Sequence, residues 1–183
     1  YKPKRRTRAT MAREKGLQPL ADLILEQSAT EDRGTLAAPY LSDEVPDVEE
    51  AFAGARDIVA ETISDDPEIG AEMRTLTQRR GTLAVEVAEE ANDPDGVYEI
   101  YYQFFASPKG LRPHQILAMN RGEREDVLKI NLEVPESEAL GRLTQHYPGD
   151  MGSSLAEDLR AAREDGYHRL LFPAIERELR SRL

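Results

Sequence analysis

The chain has 183 residues, a formal net charge of −11, 39% hydrophobic residues and no cysteine. That length holds one domain or two small subdomains with a real core. Missing cysteine excludes disulfides and thiol chemistry and fits the cytoplasm. No apolar run approaches the roughly 18 residues of a membrane-spanning helix, so no membrane partner is expected.

No signal-peptide pattern is present. The chain begins at Tyr1 rather than Met and ends at Leu183 inside a helical pattern, so it reads as an excised piece of a longer protein. Its charge is unevenly placed. Tyr1–Gly16 sets seven cations against Glu14 alone, a net +6, so the remainder carries −17. A body so acidic repels polyanions, while a basic arm attracts them.

Tyr1–Thr10 is polar, basic and poor in apolar residues, and is predicted to be extended or a linker. Thr10 is suited to cap a short helix over 11–15 that Gly16 ends. Leu20, Leu23, Ile24 and Leu25 predict a helix running to about Gln27, and 28–34 reads as a loop. The segment 36–41 is a short apolar piece broken by Pro39. Asp47 opens the next helix, with Glu50 three residues on as in a capping box. Val48, Phe52, Ala55, Val59 and Ile63 keep helical spacing to about Ser64. Asp66 caps a further helix from Pro67, buried through Ile69, Met73 and Leu76 and ended or interrupted by Gly81.

Thr82–Glu89 alternates at Leu83, Val85 and Val87 but also holds helix-favouring alanines and glutamates; the balance favours a strand in a two-stranded ribbon. The segment 92–96 reads as a turn. Tyr98, Tyr101, Tyr102 and Phe105 share one face if 98–105 is a helix, which predicts a core cluster over a base-stacking surface. Pro113 opens a short helix that stops near Arg121 and Gly122. Leu128, Ile130, Leu132 and Val134 then alternate with Lys129, Asn131 and Glu133, the clearest half-buried strand in the chain. Leu140 and Leu143 mark a helix over 135–147. Ser153 or Ser154 caps a longer one through Leu155 and Leu159, which Pro173 kinks or restarts. The fold class expected is mostly α, a multi-helix domain with at most a small two-stranded β element.

His114, His146 and His168 sit in no metal-ligand spacing, so no metal site and no cofactor is expected. Acidic pairs such as Asp43–Glu44, Glu49–Glu50, Asp65–Asp66 and Glu89–Glu90 could serve hydrolysis or a metal-dependent nuclease. Their places at helix starts and on solvent faces favour dipole compensation and solubility. No nucleophile elbow, Walker motif or dinucleotide fingerprint occurs, so no catalytic residue is expected. The candidate nucleic-acid contacts are Lys2, Lys4, Arg5, Arg6 and Arg8 in the arm, then Arg79, Arg80, Arg112 and Arg121.

Several stretches carry a family resemblance. YKPKRRTRATMAREKGLQPLAD at the start, PDVEEAFAGARDIVAE from Pro46, RPHQILAMNRGEREDVLKINL from Arg112 and YHRLLFPAIERELRSRL at the end resemble the N-terminal helical region of the Tex family. These are bacterial RNA-binding transcriptional accessory proteins. The likeness spans essentially the whole chain. Gln115 stands where the family has arginine after the histidine, and 91–96 lacks the usual lysine-rich stretch.

The resemblance implies that 1–183 is one region of a multidomain protein. A ribonuclease-H-like domain, helix-hairpin-helix motifs and an oligonucleotide-binding barrel would lie beyond it, and the barrel would be the main nucleic-acid binder. The function expected is a non-catalytic helical scaffold of a transcription accessory factor, with weak, sequence-independent RNA or DNA contact. The alternative is a platform for transcription machinery or sister domains.

Overall fold

The computed structural model describes residues 5–183. It divides into two compact units. The first comprises the chain up to Ala71 with Leu140–Ala174; the second comprises Glu72–Ala139 with Ile175–Leu183.

The first unit is helical: α1 (Arg8–Glu14), α2 (Gln18–Glu26), α3 (Arg33–Ala37), α4 (Val48–Asp65) and α8 (Ala156–Asp165), with the first turns of α5 (Pro67–Arg80) and most of α7 (Glu136–His146). α4 is its axis, packed by α1, α2, α3 and α8. Helices on several sides explain why its buried set, Ala51, Phe52, Ala55, Ile58, Val59, Ala60 and Ile63, is wider than one amphipathic stripe. Each large apolar side chain so buried contributes about 1.5–3 kcal/mol. Asp47 caps α4 as expected, accepting from the Glu50 N–H at 2.8 Å. Asp66 accepts from the Glu68 N–H at 2.9 Å at the start of α5. Gly54 lets the end of α1 and the link to α2 approach α4, since a β-carbon there would sit 2.5 Å from Leu17 Cδ1 and 3.3 Å from Ala12 Cβ.

Three details of this unit differ from expectation. Thr7, not Thr10, caps the first helix: its side chain accepts from the Thr10 N–H, so the helix begins at Arg8. The loop over 28–34 ends early, because Asp32 caps α3 by accepting from Thr35 N–H. Neither serine caps α8, which has no side-chain cap. Ser153 Oγ accepts from Leu155 N–H, and Ser154 Oγ donates to the Ala29 carbonyl.

After α8 comes a π-helical turn, Gly166–Leu171, and then α9 (Phe172–Arg182). Pro173 lacks the N–H an α-helix would direct at Arg169 O, and its ring crowds that carbonyl; a wider turn just before it removes the conflict.

The second unit contains a three-stranded antiparallel sheet in the order β2-β1-β3: β1 (Thr82–Val87), β2 (Gln103–Ala106) and β3 (Leu128–Glu133). The β1–β3 ribbon is the one expected, and β2 is an added strand. Residues 98–105 are not a helix. Tyr98 and Tyr101 are buried around a short 3-10 turn, Glu99–Tyr101, and the chain then extends. β-branched and aromatic density with little alanine favours the extended form. α6 (Pro113–Arg124) packs on β3. It does not stop at Gly122: a β-carbon there would lie 2.5 Å from Leu128 Cδ1, so the glycine marks a close approach rather than a helix end. Leu128 and Leu132 are core residues, but Ile130 is only half-buried, which corrects the expected core at that position.

Candidate nucleic-acid interface

Two of the N-terminal cations, Arg8 and Arg13, sit on a short, well-anchored helix. Ala9 and Ala12 of α1 are buried against α4, which turns Arg8 and Arg13 outward. Gly16, with φ +81°, ends the helix in a conformation that suits glycine. Lys2 and Lys4 lie outside the described residues.

Arg5 and Arg6 are exposed and line an open groove of about 490 Å³ with Thr7, Thr10 and Arg13 on one side and Glu61 and Asp65 on the other. Arg6 Nη2 donates to Glu14 at 2.6 Å, and Arg13 Nη1 donates to Glu61 at 3.2 Å. Burial pushes the Asp65 carboxyl up, Glu61 adds to that, and Arg13 acts the other way. Arg8 is also exposed but lines a second groove, of about 370 Å³, with Lys15, Met11 and Glu50.

The remaining candidates belong to the second unit and line neither groove. Arg79 and Arg80 end α5, and Arg80 pairs with Glu138 at 2.9 Å. Arg112 precedes α6, where its backbone N–H donates to the Gln115 side chain. Arg121 pairs with Glu125 at 3.4 Å. Among the described residues, then, Arg5 and Arg6 share a groove, Arg8 lines another, and the other four belong to the second unit. Arg13 was the residue passed over. With the helix beginning at Arg8, Thr10 and Arg13 share one face, a spacing hidden by capping at Thr10.

Guanidinium groups on an open groove can hydrogen-bond phosphate oxygens with charge assistance. Hydrogen bonds to phosphate oxygens carry no base identity. The acidic pairs have structural partners at several positions. Asp66 caps α5 and also receives the Tyr147 hydroxyl at 2.7 Å, and Glu49 pairs with Arg33 at 2.6 Å. Among the described residues no group of three or more His, Cys, Asp or Glu is placed to hold a metal ion. Nor is any helix long and apolar enough to cross a membrane.

Comparison with known proteins adds a family. A family model described as Tex central region-like matches residues 28–183. The chain is 42% identical to YdcI of Bacillus subtilis (strain 168), over all of this chain and 26% of that protein. It is 35% identical to "Transcriptional accessory protein Tex" of Neisseria gonorrhoeae, over 73% of this chain and 17% of that protein. It is 28% identical to "S1 RNA-binding domain-containing protein 1" of Pongo abelii, over 97% of this chain and 19% of that protein. The chain thus spans about a quarter or less of the length of these relatives.

Proposed function

The chain belongs to the Tex central region-like family, and from that premise we propose that it is a non-catalytic helical scaffold of a longer, nucleic-acid-binding transcription accessory factor. In this reading it touches RNA weakly and without sequence preference, through its N-terminal basic segment, while other parts of the protein supply the main binding. It acts in the cytoplasm with the transcription machinery. The observation that carries the contact is the placement of Arg5, Arg6 and Arg13 along one open groove. Two relatives carry names that speak of transcription and of an S1 RNA-binding domain, which supports the setting. The scaffold role is supported by acidic residues committed to helix caps and ion pairs rather than gathered at a reactive centre.

A second reading has its own support. Arg6 and Arg13 already pair with Glu14 and Glu61, so the basic segment is partly satisfied by the acidic body. That would make the chain a protein-binding platform with no direct nucleic-acid contact.

Titrating labelled single-stranded RNA and DNA with the 183-residue chain separates the two. Replacing Lys2, Lys4, Arg5, Arg6 and Arg8 by alanine should remove binding while circular dichroism stays helical. Undiminished binding by that variant would move the contact to Arg79, Arg80, Arg112 and Arg121. No binding by the wild type at low salt would favour the platform.

A further inference from the structure

The sheet of the second unit has two unlike faces. Directly paired residues share a face, so Leu83, Val85, Ile130 and Leu132 lie on one, and Leu83 and Val85 are fully buried there. The other face sets Phe105, Ala84 and Asn131 in one row and Gln103, Glu86 and Lys129 in the next. Phe105 is 65% exposed. A phenyl ring left in water at the edge-strand end of a row of sheet residues is the kind of exposure that marks an interaction surface when it borders a depression. Here it does. Ala84 is too small to fill the space between Phe105 and Asn131, and a depression of about 480 Å³ opens there, with Tyr102, Glu86 and Glu133 also on its lining.

The charge of the surroundings decides what fits. Between Gly81 and Pro108 the sequence holds six carboxylates and no lysine, arginine or histidine. Glu86 and Glu133 flank the Ala84 row on the same face. Lys129 opposes Glu86 but does not line the depression. A phosphate backbone would meet two carboxylates here and be repelled. A cation meets an aromatic face and two acceptors, the chemistry that holds guanidinium and ammonium groups. β2 stands at an edge of the sheet, where an extended segment can approach.

We propose that this face docks a basic segment of a separate protein, seating an arginine or lysine side chain over Phe105 between Glu86 and Glu133. The interaction is independent of the N-terminal arginines and of the RNA contact assigned to them. Arginine suits the seat better than lysine, because its planar group stacks on the ring while its edge reaches the carboxylates.

The test is fluorescence anisotropy of a labelled peptide of alternating arginine and leucine with the 183-residue chain. The wild type should bind it, more tightly than the lysine counterpart, with affinity falling as salt rises. Phe105→Leu keeps an apolar side chain at an exposed site, so folding is preserved; it should weaken binding by about three- to thirty-fold. The double variant Glu86→Gln with Glu133→Gln should weaken it further and flatten the salt dependence. Replacing the five N-terminal cations should leave peptide binding unchanged. The proposal is overturned if the wild type ignores the peptide, or if Phe105→Leu and the double glutamine variant both bind it as well as wild type. It is also overturned if Phe105→Leu lowers affinity for single-stranded RNA instead, which would make the face a base-stacking platform.

Discussion

Asp158 is 4% exposed and receives three guanidinium hydrogen bonds: from Arg33 Nε at 3.1 Å, Arg33 Nη2 at 3.0 Å and Arg56 Nη1 at 2.8 Å. Arg33 also pairs with Glu49 and lies 4.2 Å over the Phe52 ring. One carboxylate thereby ties α3, α4 and α8 together. Nothing in the sequence announces this cluster, because its members are 102 and 125 residues apart and each looks like an ordinary surface charge. Removing one partner of a buried pair leaves the others uncompensated. The arginines, at 28% and 32% side-chain exposure, can recover part of their hydration. Asp158→Ala should therefore cost about 2–4 kcal/mol in urea unfolding, and Asp158→Asn less. Ile130 makes the opposite point. Its alternation with Lys129 and Asn131 reads correctly as a strand, but alternation fixes a face, not a depth. Half-buried, Ile130→Ala should cost about 1–2 kcal/mol, below the 2–5 kcal/mol typical of a fully buried site such as Leu132. Equal losses at the two positions would contradict the burial difference.

At the scale of elements, local signals were legible where one residue type carries one mechanism. Asp47 and Asp66 cap the helices they were expected to cap, and Pro67 and Pro113 stand at helix starts. Signals failed where one pattern serves two structures. The spacing of Tyr98, Tyr101, Tyr102 and Phe105 fits a helix face, yet the segment is a tight turn feeding an edge strand. Gly122 resembles a stop signal, yet it is where Leu128 of β3 packs tightly on α6, and Gly122→Ala should cost about 1–3 kcal/mol by overpacking. The end of α7 and the start of α5 are joined by the Tyr147 hydroxyl, which donates to Asp66 at 2.7 Å. That bond chiefly holds the Asp66 carboxyl below its usual range. Burial, then Asp66, pushes the Tyr147 phenol up to about 12. The two shifts act at opposite ends of the pH scale. Asp66 contributes stability above an unfolded value of about 4, lost as pH falls through its lower folded value. Tyr147 contributes stability below an unfolded value of about 10, lost as pH rises toward 12. Melting temperature measured against pH should show both limbs, and Tyr147→Phe should flatten each while lowering stability near neutrality by about 1 kcal/mol.

For the whole molecule, the mostly helical class was legible from caps and periodicity, and the division into two units was not. The boundary between Ala71 and Glu72 falls inside α5, and that between Ala139 and Leu140 inside α7. The third, between Ala174 and Ile175, falls inside α9, so continuous helices cross every boundary and no linker composition marks the change. The uneven charge was visible at once, and it sets the last expectation. Five arm cations could neutralise up to five phosphates of a single strand, and the affinity exponent in salt is about −0.7 per phosphate. Arg6 also serves Glu14, but an exposed pair of that kind is weak, so most of the arm remains available. The expected slope of log affinity against log salt is about −3, a loss of about fifty- to hundredfold between about 50 and about 200 mM salt. The acidic remainder acts in the same direction as added salt at long range, keeping absolute affinity low even where screening is slight. Arg5→Ala with Arg6→Ala should reduce the slope by more than one unit and leave any preference among RNA sequences unchanged, since phosphate contacts carry no base identity. A slope near zero in the wild type, or a sequence preference that survives in the double variant, would mean that the groove formed by Arg5, Arg6 and Arg13 is not where the strand lies.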